Sequence, residues 1–237
     1  MRRLYSTDFA YVHDAGFGDF AKRTAPELIR LLRAHGIKDG RIVEIGTGSG
    51  ILARRLIDAG YDVIGIDRSR DMIRLARAKA PDATFRIGSL TRAKIPRCDA
   101  AIAIGEVVSY VSASPRPFFT RVHDALEPGG LFIFDFMESA KGRTYAGKSF
   151  GGRDWELIVR AEVDAAGRTL TRRMTLLRNV GGKYRRSRET HRVTIRSRHE
   201  VKAALEAAGF SVAMSRAYGR YRLLRGDVAV VARKTIE

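Results

Sequence analysis

The stretch from Ile42 to Gly50, Ile-Val-Glu-Ile-Gly-Thr-Gly-Ser-Gly, constrains the fold of this chain more than any other. Its first residues are mostly apolar and β-branched, which is typical of a buried strand, and the three alternate glycines must end that strand. Apolar residues then recur at helical spacing from Ile51 to Ala59. A strand, a glycine turn and a helix N-terminus together form a site where backbone N–H groups can face a negatively charged ligand.

A second predicted strand ends in an acidic residue. The segment 61–67, Tyr-Asp-Val-Ile-Gly-Ile-Asp, is short and apolar and ends in Asp67. A carboxylate at that place can accept hydrogen bonds from both hydroxyls of a ribose. The dinucleotide-binding fingerprint requires a further glycine three residues after the second one, where this sequence has Ile51. The pattern therefore indicates a nucleoside ligand and weakens the case for a nicotinamide dinucleotide.

Four stretches of the chain together resemble the class I S-adenosylmethionine-dependent methyltransferases. The family's first motif, an acidic residue followed by alternate glycines, is matched at 44–50, and the second motif is matched at 65–69. Cys-Asp-Ala-Ala-Ile at 98–102 and Leu-Glu-Pro-Gly-Gly-Leu-Phe-Ile-Phe-Asp at 126–135 match the fourth and fifth strands. The resemblance covers about residues 40 to 137. It implies an α/β fold with a Rossmann-like, seven-stranded, mostly parallel sheet and helices on both faces.

The resemblance also implies S-adenosylmethionine as the cofactor and suggests which residues bind it. Asp67 is expected to bind the ribose, and Met72 is expected to pack against the adenine ring. Ser89 stands where the family usually has aspartate, so Ser89 and Leu90 are expected to share recognition of the adenine amino group. The other candidates lie in the glycine turn, beside Asp67, at the end of the fourth strand and in an N-terminal lid: Glu44, Gly46, Thr47, Gly48, Gly50, Arg68, Gly105 and Tyr11.

Strand–helix alternation stops near residue 138 and gives way to period-two alternation. Alternating runs at 156–163, 170–177 and 183–197 are separated by glycine-containing turns, which predicts a three-stranded antiparallel sheet. Similar small-molecule methyltransferases, including N-methyltransferases of amino sugars, place an antiparallel insertion over the active-site mouth. We therefore divide the chain into a lid and cofactor-binding core (1–138), a substrate-contacting β insertion (139–198) and the C-terminal part of the core (199–237).

Methyl transfer from a sulfonium requires mainly an in-line acceptor, so strong acid–base residues are not obligatory. Where the acceptor carries a proton, one side chain must remove it, and Glu106 and His191 are the candidates. Glu106 follows the fourth strand, whose end is expected to lie beside the reactive methyl group. The other side chains expected to face the substrate are His13, Tyr110, Phe136 and Trp155.

The net charge of +18 would suit an acidic partner. The basic residues are spread from end to end, however, and the Asn-Pro-Pro-Tyr type of motif found in methyltransferases of base amino groups is absent. The densest basic run, Lys183 to Arg188, fits either a phosphate contact or a charged strand edge. A nucleic acid is therefore the less favoured partner.

These patterns predict methyl transfer to a nitrogen or oxygen of a small molecule. An RNA- or DNA-directed methyltransferase and a nonenzymatic nucleotide-binding module on the same fold remain alternatives. The lone cysteine, Cys98, excludes intramolecular disulfides and cysteine-rich zinc sites and suits a cytoplasmic location, and no metal site is predicted. No apolar run approaches the roughly 18 residues of a membrane helix. A homodimer is compatible with the sequence.

Overall fold

The computed structural model describes residues 4–235. Within that range, no helix combines the length and the apolar character that crossing a membrane requires. The helices are α1 (Thr7–Phe17), α2 (Asp19–Ala34), α3 (Ile51–Asp58), α4 (Arg70–Lys79), α5 (Arg116–Ala125) and α6 (Arg198–Glu206), and a 3-10 turn spans Val107–Tyr110. The strands are β1 (Arg41–Ile45), β2 (Asp62–Asp67), β3 (Thr84–Ile87), β4 (Cys98–Ala103), β5 (Leu126–Met137), β6 (Tyr145–Gly151), β7 (Trp155–Val163), β8 (Thr169–Val180), β9 (Lys183–Thr194), β10 (Phe210–Ser215), β11 (Ala217–Tyr218), β12 (Tyr221–Arg222) and β13 (Asp227–Lys234).

The central sheet has seven strands in the order β10-β13-β5-β4-β1-β2-β3. The first five strands of the chain pair in parallel, β13 runs antiparallel to β5, and β10 runs antiparallel to β13. This architecture confirms the predicted Rossmann-like, mostly parallel sheet. The carboxyl ends of β1, β2, β3 and β4 consequently meet at one edge, which is where ligands bind in open sheets of this kind.

Helices cover both faces of the central sheet, as β5 illustrates. Successive side chains of a strand point to opposite faces. Phe132 and Phe134 pack in the cluster that includes residues of α5 and α6, whereas Leu131 and Ile133 pack in the cluster that includes residues of α2, α3 and α4. All four side chains are completely buried. Burying each such side chain contributes about 1.5–3 kcal/mol, so the sheet edge that carries the ligand site rests on a rigid core.

The insertion forms a separate antiparallel sheet of four strands in the order β6-β7-β8-β9. The prediction of three strands was therefore wrong by one. The missed strand, β6, has the sequence Tyr-Ala-Gly-Lys-Ser-Phe-Gly, and its pairing register with β7 shifts between Tyr145 and Lys148. Small residues and this irregularity remove the period-two signal on which a sequence-based prediction depends.

The densest basic run lies on β9, which is an edge strand of the insertion sheet. Tyr184 in this run is 75% exposed. Arg185 is also exposed, but its guanidinium pairs with the buried Asp8 of α1 at 2.5 Å. The run is therefore divided between a charged strand edge and a contact with α1, and nucleic acid stays the less favoured partner.

Helix α1 bridges the insertion and the core. At its N-terminal end, Glu189 of β9 accepts hydrogen bonds from the backbone N–H groups of Tyr5 and Ser6, each at 2.8 Å. At its C-terminal end, Asp14 accepts a hydrogen bond from the Ser49 hydroxyl at 2.6 Å and pairs with Lys79 of α4. Because Ser49 belongs to the glycine turn, α1 lies against the predicted cofactor site.

Candidate active site

The glycine turn between β1 and α3 leaves its backbone open to a ligand. Gly46, Gly48 and Gly50 have φ values of +76°, +56° and +79°, which side chains rarely permit. A Cβ atom on Gly46 would lie 2.6 Å from Cγ2 of Val107, and one on Gly50 would lie 2.8 Å from Cα of Ala76. Around Gly48, by contrast, no heavy atom of the described residues lies within 4 Å of such a Cβ. Gly48 is therefore where a cofactor can approach the backbone.

Glu44 and Thr47 support this turn from inside the protein. The Thr47 hydroxyl donates a hydrogen bond to Oε2 of Glu44 at 2.5 Å, and both residues are buried. Burial raises the pKa of Glu44 to about 8, so the carboxyl group is largely protonated at neutral pH. The two side chains therefore hydrogen-bond to each other, and a direct contact of Glu44 or Thr47 with the cofactor stays a prediction.

Asp67 lies at the carboxyl end of β2, beside the glycine turn. Its carboxylate accepts hydrogen bonds from the backbone N–H groups of Gly48 at 3.0 Å and Ser69 at 2.8 Å. These bonds favour the charged form, but burial has the larger effect and raises the pKa of Asp67. Arg68 is exposed next to it, and Met72 is almost completely buried in the first turn of α4. This placement suits the predicted contacts with ribose and adenine.

The loop after β3 carries Ser89 and Leu90, which are half-buried. Gly88 joins this loop to the end of β2, because its N–H donates to the carbonyl oxygen of Asp67 at 2.9 Å. The guanidinium of Arg121 on α5 stabilises the loop. It donates hydrogen bonds to the carbonyl oxygens of Leu90, at 2.5 Å, and Thr91. The loop therefore lies next to the ribose position, where an adenine ring would extend.

Gly105 and Glu106 follow the end of β4 and complete the predicted cofactor site. Their backbone N–H groups donate to the carboxylate of Asp135 at 2.8 and 2.5 Å. Burial raises the pKa of Asp135 to about 7 despite these bonds. Taken with the open glycine turn and Asp67, the residues present fit a nucleoside cofactor whose reactive end lies near β4.

The side chain of Glu106 forms ion pairs with two arginines. Its carboxylate pairs with Arg143 at 2.5 Å and with Arg172 of β8 at 2.9 Å, and Arg143 also pairs with Asp227 at 2.6 Å. The carboxylate of Glu106 is thus shared between two guanidinium groups on the insertion side of the site. Glu106 therefore links β4 to the insertion, and its role as a base stays a prediction.

Phe136 lies in the core of the central sheet. It was expected to face the substrate from the open end of β5, but only 1% of it is exposed. Its ring centroid lies 6.3 Å from that of Phe134 in the main core cluster. Strand alternation places residues 132, 134 and 136 on one face, so Phe136 shares the environment of the two core phenylalanines that precede it.

Tyr11 and Trp155 meet in a pocket between α1 and the insertion. The Tyr11 hydroxyl donates to Oδ1 of Asp154 at 3.0 Å, and the guanidinium of Arg178 lies 3.5 Å from its ring centroid. The Tyr11 side chain thus contacts the insertion, and its contact with the cofactor stays a prediction. The pocket has a volume of about 400 Å³. Its aromatic lining consists of Tyr11, Phe17, Phe150 and Trp155.

His13, Tyr110 and His191 form a polar cluster where α1 and the insertion meet the end of β4. The Tyr110 hydroxyl lies 2.8 Å from Nδ1 of His191. The ring of Tyr5 joins the cluster through edge contacts with His13, at 5.2 Å between centroids, and with His191, at 4.9 Å. The structure therefore brings three predicted site residues together from separate parts of the chain.

Sequence analysis missed several members of this region. Tyr5 was not selected as a site residue, and neither were Glu189 and Arg172. The spacing of Glu189 and His191, two apart on a strand, was a usable signal, because such residues share one face of a sheet. Nothing in the local sequence marks Arg172, since its pairing with Glu106 joins residues 66 positions apart.

Comparison with known proteins agrees with this geometry. A family model described as a methyltransferase domain matches residues 42–130. A ubiquinone biosynthesis O-methyltransferase of Methylobacterium nodulans is 30% identical over 172 residues, covering 63% of this chain and 68% of that protein. A dTDP-3-amino-3,6-dideoxy-alpha-D-glucopyranose N,N-dimethyltransferase of Streptomyces fradiae is 26% identical, covering 88% of this chain and 86% of that protein.

Solved structures share the complete fold. The structure of an amino pentose methyltransferase from Micromonospora echinaspora with S-adenosylmethionine bound has a TM-score of 0.77 and 20% identity, covering 99% of this chain and 100% of that chain. A S-adenosylmethionine-dependent methyltransferase from Clostridium acetobutylicum has a TM-score of 0.84 and 14% identity, covering 97% of this chain and 98% of that chain.

The chain belongs to the class I S-adenosylmethionine-dependent methyltransferases. It is an enzyme that transfers a methyl group from this cofactor to a small-molecule acceptor, as the sequence predicted, and the nonenzymatic alternative is set aside.

Proposed function

We propose that this enzyme methylates the amino group of a small, sugar-like acceptor carried on a nucleotide. Relatives named as N,N-dimethyltransferases of dTDP-linked amino sugars match 88% of the chain, including the insertion. The observation that carries the proposal is an unpaired ring nitrogen in the polar cluster. Nδ1 of His13 is buried and has no hydrogen-bond partner among the described residues.

His13 is suited to contact a nitrogen or hydroxyl group of an acceptor. Burial lowers its pKa to about 4, so the imidazole is neutral at physiological pH and does not repel a cationic amine. An unpaired buried polar atom costs about 1–3 kcal/mol. An acceptor that supplies the missing hydrogen bond would remove this cost, which gives the site a preference for polar acceptors.

The aromatic pocket is our candidate for the nucleotide part of the acceptor. A volume of about 400 Å³ is sufficient for a planar base with its sugar. Arg153 lines the pocket, and Nζ of Lys148 lies 5.1 Å from the ring centroid of Phe150, so cations are available for phosphate groups. Phe17 connects the pocket to the polar cluster, because its ring centroid lies 6.5 Å from that of His13.

When bound, S-adenosylmethionine would supply an electrophilic methyl group to the electron pair of the acceptor. The backbone of Gly48, the carboxylate of Asp67 and the loop at Ser89 and Leu90 would hold it. Helix α1 covers the site and excludes water, while His13 and Tyr110 orient the acceptor. Positioning of this kind can remove about 7–11 kcal/mol of the barrier.

The direct test is a methyl-transfer assay with matched acceptors. We expect dTDP-3-amino-3,6-dideoxy-alpha-D-glucopyranose to gain one or two methyl groups by mass spectrometry. The same nucleotide sugar with a hydroxyl in place of the amine, and a short RNA, serve as controls and should remain unmodified. Methylation of the hydroxyl compound or the RNA, with none of the amine, would overturn the proposal.

The pocket assignment has its own test. Trp155→Ala should raise KM for the dTDP-linked amino sugar by about tenfold, because loss of one stacking ring costs about 1–3 kcal/mol. The affinity for S-adenosylmethionine should not change. Tyr184→Ala, which removes an aromatic ring that is 75% exposed at the hairpin tip, is the control. An unchanged KM in the Trp155 variant would place the nucleotide elsewhere.

A further inference from the structure

We propose that Tyr110, His191 and Glu189 form a proton relay that removes the proton of the acceptor amine, with Tyr110 as the residue that contacts the amine. The inference rests on the proposed N-methylation. The amino-acid sequence had suggested Glu106 or His191 as the proton acceptor and Tyr110 as a substrate contact; the proposal adds Glu189 and gives Tyr110 the contact with the amine.

The hydrogen-bonding geometry defines the order of the relay. Nε2 of His191 lies 3.0 Å from Oε2 of Glu189, and Nδ1 of His191 lies 2.8 Å from the Tyr110 hydroxyl. A carboxylate only accepts hydrogen bonds, so Nε2 must carry the proton in this pair. In the tautomer with its proton on Nε2, Nδ1 has a free electron pair and accepts the hydrogen bond of the phenol. Tyr110 is thus oriented as a donor to His191.

Glu189 is positioned to stabilise a positive charge on His191. The side chains of Glu189 and His191 are only 4% and 3% exposed. Burial alone would raise the pKa of Glu189, but hydrogen bonds from His191, Ser6 and the backbone of Tyr5 lower it below its usual value. Glu189 is therefore a carboxylate at neutral pH, and an imidazolium at His191 would have an adjacent counter-charge.

Tyr110 lies at the acceptor side of the relay. It ends the 3-10 turn that follows Gly105 and Glu106, so it belongs to the edge of the sheet where the cofactor's reactive end is expected. The residue is half-buried, whereas the histidine behind it is buried. Burial raises the pKa of Tyr110, so the phenol is neutral at rest and relays a proton without being ionised beforehand.

The proton transfer balances in one concerted step. An ammonium acceptor gives a proton to the phenolic oxygen of Tyr110, and the original phenolic proton passes to Nδ1 of His191. The products are a neutral amine with a free electron pair, a neutral tyrosine and an imidazolium paired with Glu189. His191 returns the proton to solvent when the site opens. Because Tyr110 ends the 3-10 turn after β4 and Glu189 lies on β9, the relay joins the core to the insertion.

Other charged and titratable groups surround His191. Tyr5 contacts its ring from the segment before α1 and also hydrogen-bonds to Tyr110, and His13 approaches from α1. Arg172 lies opposite His191 on β8, where Glu106 neutralises it. Because Arg172 is paired, its charge opposes an imidazolium less than a free guanidinium would.

The test compares His191→Gln and Tyr110→Phe with the wild-type enzyme on dTDP-3-amino-3,6-dideoxy-alpha-D-glucopyranose across a range of pH. Each variant should lose about 100-fold or more in kcat at neutral pH. The deficit should shrink as pH rises through the amine's own pKa, because the acceptor then arrives without its proton. A merely structural role would leave the same deficit at every pH. Glu189→Gln should weaken the relay and shift the acidic limb of the profile.

Two further measurements keep the outcome unambiguous. Affinity for S-adenosylmethionine, measured by calorimetry, should stay within about twofold in Tyr110→Phe, and His199→Gln, on the surface of α6, should behave as wild type. NMR of ¹⁵N-histidine in the resting protein should show His191 protonated at Nε2 and not at Nδ1. A proton on Nδ1, or wild-type rates in His191→Gln at all pH values, would overturn the relay and leave N-methylation standing. Failure of the wild-type enzyme to methylate the amine would instead overturn the proposed function.

Discussion

Nη2 of Arg172 on β8 donates to both carboxylate oxygens of Glu106, at 3.3 and 2.9 Å, and so connects the insertion to the end of β4. The side chain of Glu106 is 13% exposed and that of Arg172 is 22% exposed. The pair belongs to a chain of charges that continues through Arg143 to Asp227. The insertion is therefore joined to the core by partly buried ion pairs beside the site it covers.

Glu106→Gln should lower the free energy of unfolding by about 3 kcal/mol, because it leaves the positive charges of Arg143 and Arg172 without their shared partner. Denaturant titration followed by circular dichroism measures this loss. Glu162→Gln is the matched control, since Glu162 pairs with Arg173 on the exposed side of the insertion and is 63% exposed. The control should change stability by less than about 0.5 kcal/mol. Equal effects in the two variants would contradict the connecting role of Glu106.

Gly50→Ala should destabilise the protein and abolish cofactor binding. A residue other than glycine is destabilised by about 1–2 kcal/mol at this positive φ. The added Cβ would also lie 2.8 Å from the backbone of Ala76. Gly60→Ala provides the comparison, because Gly60 has a φ of +97° but open space around the Cβ position among the described residues. Thermal unfolding should show a loss in both variants and a larger one in Gly50→Ala. Calorimetry should show lost affinity for S-adenosylmethionine in Gly50→Ala alone.

Asp67→Ala should weaken binding of S-adenosylmethionine by about tenfold or more, because the ribose hydroxyls would lose their acceptor. Asp62→Ala is a suitable control: Asp62 begins the same strand, but it is exposed and pairs with Arg41. Isothermal titration of both variants with the cofactor measures the difference. Unchanged affinity in the Asp67 variant would show that the ribose is bound elsewhere.

Glu44 should make the protein less stable as pH rises from about 4.5 to about 8, the interval between its pKa values in the unfolded and folded states. Its pKa in the folded protein is about 8, above the usual value of 4.5, so the folded state holds a proton that the unfolded state has released. The free energy of unfolding therefore falls with increasing pH, by up to about 1.4 kcal/mol per pH unit, and levels off above pH 8. Glu44→Gln should remove this slope, which denaturant titrations at several pH values can measure. A slope unaffected by the substitution would contradict the raised pKa.

The cofactor half of the site could be predicted from sequence because its residues are local. Gly46, Gly48 and Gly50 lie within one turn, and Asp67 follows at the end of the next strand. Backbone sterics force glycine at such φ values, and the alternation of strands and helices brings consecutive strand ends to one edge. The roles of individual side chains were less accessible: Glu44 and Thr47 were expected to contact the cofactor, and their hydrogen bond to each other was not anticipated.

The acceptor half depends on contacts between distant segments. Tyr110 comes from the turn after β4, whereas His191 and Glu189 come from the insertion, and His13 comes from the lid. Period-two alternation on β9 shows that Glu189 and His191 share a face, but it does not show which face is inward or what lies opposite. The same limitation applies to the prediction for Phe136. Strand alternation places Phe136 on the same face as Phe132 and Phe134, but it does not show that this face is buried in the core.

The amino-acid sequence alone determined the fold class, the glycine turn and the methyl donor, because these depend on short-range backbone preferences and on motifs of fixed spacing. Tertiary structure decided which polar groups are paired and which remain free. Glu106 became an ion-pair partner and His191 became the centre of a hydrogen-bonded relay only because β8 and β9 cross the end of β4. Such pairings depend on burial and on distances between segments remote in sequence, and no local pattern encodes either.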